Sequence, residues 1–228
     1  VEYRNVRVSE ARAASPQRFE VTLDDGVRLE CRRLLLATGV LDHVPAIDGF
    51  ERFYGSSVFH CPYCDGWEMR DQPLAVYGHG SNAAGLSRAL LTWSSDIVLC
   101  TDGPTGLKPD DATGLHALGI AVRSEKILRL EGSEYLEQIV FGEGAALPRR
   151  GLFLSTGQEQ RCDLARILGC RFTRKGAVQT GKLEGTNIPG LFVAGDASKD
   201  VQLAIVAAAE GAKAGIAINT SLQEEDGR

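Results

Sequence analysis

One stretch near the middle of the chain limits its folding options most. Leu74-Ala75-Val76-Tyr77, a short apolar run, enters Gly78-His79-Gly80-Ser81-Asn82-Ala83 without a break, and a helix-forming run follows from Ala84 to Trp93. An apolar run bounded in this way reads as a strand buried on both faces, as in a parallel sheet. In Gly78-x-Gly80-x-x-Ala83 the first glycine permits the tight turn, and the second leaves room for a pyrophosphate against the backbone. The small third residue lets the helix pack on the sheet, so that the helix N-terminus faces the phosphates. Asp96 to Cys100 supplies a second strand and completes a βαβ unit. An ordinary βα turn carries glycines too, so the reading rests on the strand before the motif and the helix after it.

The rest of the chain agrees with an α/β fold. Arg18 to Leu23 and Val27 to Cys31 alternate around Asp24-Asp25-Gly26 and predict a hairpin. Leu34-Leu35-Leu36-Ala37-Thr38-Gly39 reads as another buried parallel strand, and residues 40–57 as a connector. A helix is expected over 108–118, with Pro109 near its start. Residues 127–130, 136–141 and 151–154 read as a β-meander, 161–170 as a short helix, 191–194 as a third buried strand and 204–222 as a helix. With 228 residues, 43% of them hydrophobic and 24% charged, the chain can bury a core in one or two domains. No apolar run is long enough for a transmembrane helix. Twenty-five Lys and Arg against 30 Asp and Glu speak against a nucleic-acid binder. No charged-then-apolar leader follows Val1, so no secretory signal is expected.

Of the six cysteines, only Cys61 and Cys64 are close, a pattern that suits a reducing cytosol with one special pair. In Cys61-Pro62-Tyr63-Cys64 a single turn brings the sulfurs into bonding range and is expected to depress one thiol pKa. Pro62 stiffens the turn. Asp65 is placed to pass protons to and from the leaving thiolate, and His60 can do the same or simply pack. Zinc would need four ligands, usually with a second close pair, and Cys162 and Cys170 do not form one; no metal site is expected. An inert thiol pair is the other reading.

Asp102 ends the second strand of the βαβ unit. A carboxylate there can accept hydrogen bonds from adenosine ribose hydroxyls and repel a 2′-phosphate; with no arginine between Arg88 and Arg123, NADH is favoured over NADPH. Asp102 serves equally as a turn residue before Gly103-Pro104. Gly190 to Gly195-Asp196 places a carboxylate at a strand end, where it can meet sugar or ribityl hydroxyls, and a long helix follows. A core strand ending in a turn would look the same.

Together these residues resemble the thioredoxin reductase family in its low-molecular-weight bacterial form, and the related dithiol flavoproteins. Four features match in order: Ala37-Thr38-Gly39, Cys61-Pro62-Tyr63-Cys64-Asp65-Gly66, Gly78-x-Gly80-x-x-Ala83, and Ile188-Pro189-Gly190 leading to Gly195-Asp196. The resemblance implies a two-domain Rossmann-like architecture in which an NAD(P)-binding domain with the redox CxxC, residues 47–154, is inserted into an FAD domain made of 1–46 and 155–228. The family's opening glycine-rich unit is not in this sequence, which implies an N-terminally truncated FAD domain. The chain by itself is then not expected to retain FAD, and its FAD segments are expected to be less stable than the central domain or to pair with another chain. The family's His-Arg-Arg cluster for NADPH falls on Thr101-Asp102-Gly103. Its Arg-Gln-Ala falls on Gln202-Leu203-Ala204, where backbone contacts to the flavin from Leu203 and Ala204 survive. The Pro-Tyr interior of the CxxC replaces the common Ala-Thr.

The resemblance further implies that electrons pass from NAD(P)H through FAD to the Cys61–Cys64 pair and on to a disulfide. The catalytic residues would be Cys61, Cys64 and Asp65, with Cys64 facing the flavin and Cys61 attacking the substrate. Thr38, Gly39, Gly195, Asp196, Leu203 and Ala204 would serve the flavin, and Gly78, Gly80, Ala83 and Asp102 the dinucleotide. Substrate exchange would need the inserted domain to rotate about connectors near 43–50 and 155–158. The expected partners are a thioredoxin-like protein or a small-molecule disulfide and a second copy in a homodimer, in the cytoplasm, with no nucleic acid and no membrane. Two other classes stay open: an oxidase that closes a small-molecule dithiol and passes electrons to oxygen, and a flavin-free module that binds NAD(H) or presents a dithiol.

Overall fold

The computed structural model describes residues 1–198 and 201–227. It divides into two compact units, Val1–Asp42 with Gln158–Arg228, and His43–Gly157. The expected breaks at 46/47 and 154/155 compare with this division at 42/43 and 157/158.

The first unit opens with an antiparallel sheet of β1 (Val8–Ser15), β2 (Arg18–Leu23) and β3 (Arg28–Cys31) in sequential order. The β2–β3 hairpin is the expected one. Its turn is closed by Gly26 N–H to Leu23 O, with Gly26 at φ +83°, a conformation favoured by glycine. β1 carries no signal of its own, because only Ala11 along it is buried and its register to β2 slips twice. Two short strands follow, β4 (Leu34–Leu36) and β5 (Val40–Asp42). Only Leu36 of β4 is buried, so the expectation of a strand buried on both faces does not hold here.

The second unit runs through α1 (Phe50–Phe53), β6 (Val58–Phe59), α2 (Pro62–Asp65), β7 (Leu74–Gly78), α3 (Gly80–Leu90), β8 (Ile97–Cys100), α4 (Pro109–Ala117) and β9 (Ala121–Arg123). It then adds β10 (Ile127–Glu131), β11 (Gln138–Phe141), β12 (Leu147–Pro148) and β13 (Gly151–Ser155). Five strands form an all-parallel sheet in the order β6-β13-β7-β8-β9. Alternation along each strand supplies two cores. Ala75, Tyr77, Val98 and Leu152 face one side, where α1 and β10–β12 cover them. Val76, Leu99 and Phe153 face the other, under α3 and α4.

Three expectations need correction here. The connector 40–57 contains β5 and α1, whose Phe50 and Phe53 lie three apart on one buried face. Helix α3 begins at Gly80 rather than Ala84, so the glycine motif from Gly80 to Ala83 is already helical. Residues 151–154 do not close the meander: β12 does, and β13 sits inside the parallel sheet between β6 and β7. The physical reason is its composition. Gly-Leu-Phe-Leu is buried throughout, as a two-faced parallel strand must be, whereas β10 and β11 are buried at alternate positions or less.

The chain then returns to the first unit. β14 (Gln158–Gln160) pairs antiparallel with β5. A single helical turn, α5 (Leu164–Ile167), stands where 161–170 was expected to be helical. β15 (Leu191–Val193) pairs parallel with β4, a 3₁₀ turn spans Gly195–Ala197, and α6 spans Ala204–Glu225. The core of this unit gathers Phe19, Leu36, Leu164, Val178, Leu191 and Val193. Alanine-rich α6 buries only Glu210, Ala214 and Ala217, and polar contacts hold it in place. Arg33, its side chain almost fully enclosed, donates to Ser221 Oγ and pairs with Glu225 at 2.8 Å, and Lys213 pairs with the buried Glu184.

Candidate functional site

The cysteine pair sits just beyond β6. Cys61 is extended (φ −104°, ψ 110°) and caps α2, and Pro62 occupies the first helical position, where its missing N–H costs nothing. The N–H groups of Cys64 and Asp65 both donate to Cys61 O at 3.2 Å. This one turn brings the two Sγ atoms to 2.6 Å, within a fraction of an ångström of bonding. Cys61 is half-buried and Cys64 exposed, flanked by exposed Tyr63 and Trp67. The turn is seated by Gly66, where a Cβ would lie 2.5 Å from the Trp93 indole. Tyr54 Oη lies 3.2 Å from Nδ1 of His60.

Electrostatics exclude Cys64 as the depressed thiol of the pair. The Cys64 thiol is pushed up to about 12, first because it donates to Cys61 Sγ, then by burial and by the charges of Cys61 and Asp65. A four-residue helix has too little dipole to oppose this, and Asp65 and Glu68 add negative charge. Cys64 therefore keeps its proton and donates it towards Cys61 Sγ.

Burial, and then the charge of Glu68, holds the Asp65 carboxyl above its ordinary range. A carboxyl raised in the folded chain stabilises it at low pH, and that contribution is lost as pH rises through the raised value. Asp65→Asn is expected to raise the unfolding temperature at neutral pH, with the gain disappearing near pH ~3, where Asp65 is protonated in both states. A lower unfolding temperature for the Asn variant at neutral pH would contradict this sign.

The glycine-rich turn lies between β7 and α3 in the same unit. A Cβ on Gly78 (φ +152°) would stand 2.9 Å from Cβ and O of Ser155 on β13 and 3.3 Å from the Ala83 Cβ. Gly78 and Ala83 thus let β13, β7 and α3 close on one another, and Ala83 is fully buried. Gly80 has φ +63°, and its N–H donates to Thr105 O at 2.9 Å. Asp102 lies two residues beyond β8, with φ +49°. Its Oδ1 accepts the Ile127 N–H at 2.6 Å and its Oδ2 the Tyr77 hydroxyl at 3.5 Å. These partners tie β8 to β10. Counting along the sequence missed Arg123, which β9 brings level with Cys100; its guanidinium pairs with Glu125 at 2.7 Å and stacks 4.1 Å over Phe141.

The remaining predicted residues belong to the first unit. Parallel pairing of Leu36 with Val193 sets the ends of β4 and β15 side by side, and Ala194 N–H donates to Leu36 O. Beyond these ends is a cavity of about 280 Å³ lined by Ala37, Gly39, Gly195, Asp196, Ala207 and Gly211 among others, nearly all of them small. Thr38 instead lines a larger apolar cavity, about 670 Å³, with Leu34, Leu36 and Cys162. Leu203 caps α6 and Ala204 begins it, and neither lines the 280 Å³ cavity. A residue that sequence reasoning missed is Glu210. Fully buried on α6, its carboxylate accepts the Gly195 N–H at 2.6 Å and the Ser198 hydroxyl at 3.0 Å, which fixes the 3₁₀ turn carrying Asp196. A glutamate within an apolar alanine-rich stretch was its only signal. Among the described residues, no group of three or more His, Cys, Asp and Glu could hold a metal ion, and no helix is long and apolar enough to cross a membrane.

Residues 3–211 match the family of pyridine nucleotide-disulphide oxidoreductases. The chain is 25% identical over 239 residues to the "Probable thioredoxin reductase" of Arthroderma benhamiae; the match covers 91% of this chain and 58% of that protein. The crystal structure of HlmI is similar at 32% identity and a TM-score of 0.91, over 99% of this chain and 72% of that one. An oxidoreductase from Agrobacterium tumefaciens is similar at 31% identity and a TM-score of 0.83, over 95% of this chain and 73% of that one.

Proposed function

Since this chain belongs to the pyridine nucleotide-disulphide oxidoreductase family, we propose that it is a flavin-dependent, thioredoxin reductase-like disulfide oxidoreductase. The observation that carries this reading is the Cys61–Cys64 pair, its sulfurs 2.6 Å apart on an exposed, proline-stiffened turn next to a partly buried carboxyl. In this reading His43–Gly157 is the NAD(P)-binding unit, and Val1–Asp42 with Gln158–Arg228 is the FAD unit.

The residues of the first unit suit a flavin. Gly39, Gly195, Ala207 and Gly211 line a cavity with few side-chain atoms, as a flat ring requires, and Asp196 offers a carboxylate to ribityl hydroxyls. When bound, FAD would supply two-electron transfer between NAD(P)H and the cysteine pair. The chain's own residues do the thiol chemistry. From the dithiol, the Cys61 thiolate attacks one sulfur of the substrate disulfide, forming a Cys61–substrate bond and releasing the first substrate thiolate. Cys64 then attacks Cys61 Sγ, which closes the Cys61–Cys64 bond and releases the second. The two protons lost by Cys61 and Cys64 balance the two product thiols, and Asp65, held towards its neutral form, delivers them. The proposal includes a thioredoxin-like protein or small-molecule disulfide as substrate, a cytoplasmic setting and a homodimer.

The test is to reduce the chain, remove the reductant and follow the reduction of thioredoxin or a small disulfide by the protein's own dithiol in a single turnover. Reduction of one disulfide with the loss of about two protein thiols is the expected result. Oxygen uptake by the dithiol with no disulfide reduction would replace this reading with a dithiol oxidase. No dithiol chemistry of either kind would refute both.

A further inference from the structure

The turn meant for a pyrophosphate is already filled by the chain itself. Three groups from the segment after β8 converge on it. Thr105 O accepts the N–H of Gly80, the first helical residue of α3. Gly106 lies against the same residue: a Cβ on Gly80 would be 3.3 Å from Gly106 O, and a Cβ on Gly106 would be 3.6 Å from Gly80 N. Pro104 O lies 3.3 Å from Nδ1 of His79. The space that the second glycine of the motif keeps free of side chain is therefore occupied by backbone from 104–106.

A carboxylate completes the arrangement. Asp111, in the first turn of α4, accepts the Ser81 hydroxyl at 2.6 Å with Oδ2 and the Arg88 guanidinium at 3.0 Å with Oδ1. These hydrogen bonds hold it below the ordinary carboxylate range and so ionised. A fixed negative charge thus stands at the first turn of α3, where the helix dipole would otherwise favour a phosphate oxygen.

We propose that residues 101–111 form a built-in plug of the pyrophosphate cradle, so that NAD(P)H gains this site only when Asp111 releases Ser81 and the loop lifts from Gly80. This rests on the reading of His43–Gly157 as the dinucleotide unit. Binding is then weakened by the fraction of molecules in which the loop is open, and anything that loosens the anchor tightens binding by the same factor. Asp111 also repels the incoming diphosphate while it stays in place.

The experiment is calorimetric titration of NADH and NADPH into the full chain, unmodified and as Asp111→Asn and Ser81→Ala, with amide hydrogen exchange followed at Gly80. Asp111→Asn is expected to lower Kd for both dinucleotides roughly tenfold, and Ser81→Ala, which keeps the charge but removes the anchor, by a smaller factor of about three. The Gly80 amide should exchange slowly in the free chain and change its protection when dinucleotide saturates. Ser81→Ala keeps the Asp111–Arg88 pair, so the test survives if Asp111→Asn unfolds. Equal Kd values in unmodified and variant chains would overturn the plug and leave the dinucleotide reading standing. Absence of binding to all three would overturn both.

Discussion

Replacing Cys64 by serine is expected to abolish reversible disulfide formation in this chain and to lower disulfide turnover by on the order of a thousandfold or more, the scale seen when one member of a catalytic unit is removed. Oxidising and then mildly reducing the unmodified chain should change its thiol count by about two, one disulfide under exchange chemistry. In Cys64→Ser the change should vanish. The variants should also differ in what they trap. With Cys61 as the nucleophile and Cys64 as the residue that resolves the mixed disulfide, Cys64→Ser should accumulate a stable adduct with the substrate on Cys61, whereas Cys61→Ser should not. The assignment is what the resemblance to the thioredoxin reductase family implies, and the hydrogen bond from Cys64 to Cys61 Sγ agrees with it. An adduct that forms on Cys64 in the Cys61→Ser variant and not the other way round would reverse the two roles.

Gly78→Ala is expected to destabilise the chain by about 3 kcal/mol, at the upper end of overpacking costs, because the added methyl meets atoms that cannot yield. One of the two atoms at 2.9 Å is the Ser155 carbonyl oxygen, fixed where Ser155 faces Gly78 in the β13–β7 ladder, and Ala83 closes the other side at 3.3 Å. Relief would require β13 to move away from β7 at the centre of the sheet. Gly85→Ala is the control. It lies in α3 with nothing within 4 Å of an added Cβ, so it should stabilise by about 0.8 kcal/mol through helix propensity alone. Denaturant midpoints at constant slope would read both effects. A loss below about 1 kcal/mol for Gly78→Ala would mean that β13 does not pack on β7 as described.

Most of what bears on chemistry was readable from short spacings. The CxxC turn, Pro62 at the helix start, and the two glycines and alanine before α3 each act within a few residues, and the structure gives the predicted helical turn and β-turn-α geometry. The α/β pattern was legible for the same reason: Leu74–Gly78 and Ile97–Cys100 are apolar along their whole length because both of their faces are covered.

Where the reading failed, the deciding partner lay far along the chain. The role of Gly151 to Leu154 depended on which strands it joined, and the apolar run preferred the two-faced site between Val58–Phe59 and Leu74–Gly78 to the half-exposed edge of the meander. Arg123 reached the end of β8 through strand order, and Asp102 found Ile127 and Tyr77 instead of solvent. Glu210 became a structural carboxylate because the turn at Gly195 needed an acceptor. Asp111 took the place at the start of α3 because helix packing brought α4 beside it. The sequence by itself determined the local elements and the spacing of reactive groups, since turn, cap and face depend on residues within one or two turns of each other. Only the tertiary structure decided the strand order and the occupancy of the glycine-rich turn, along with which polar groups are shared internally. Burial and hydrogen-bond satisfaction are settled between segments that meet only after the chain has folded.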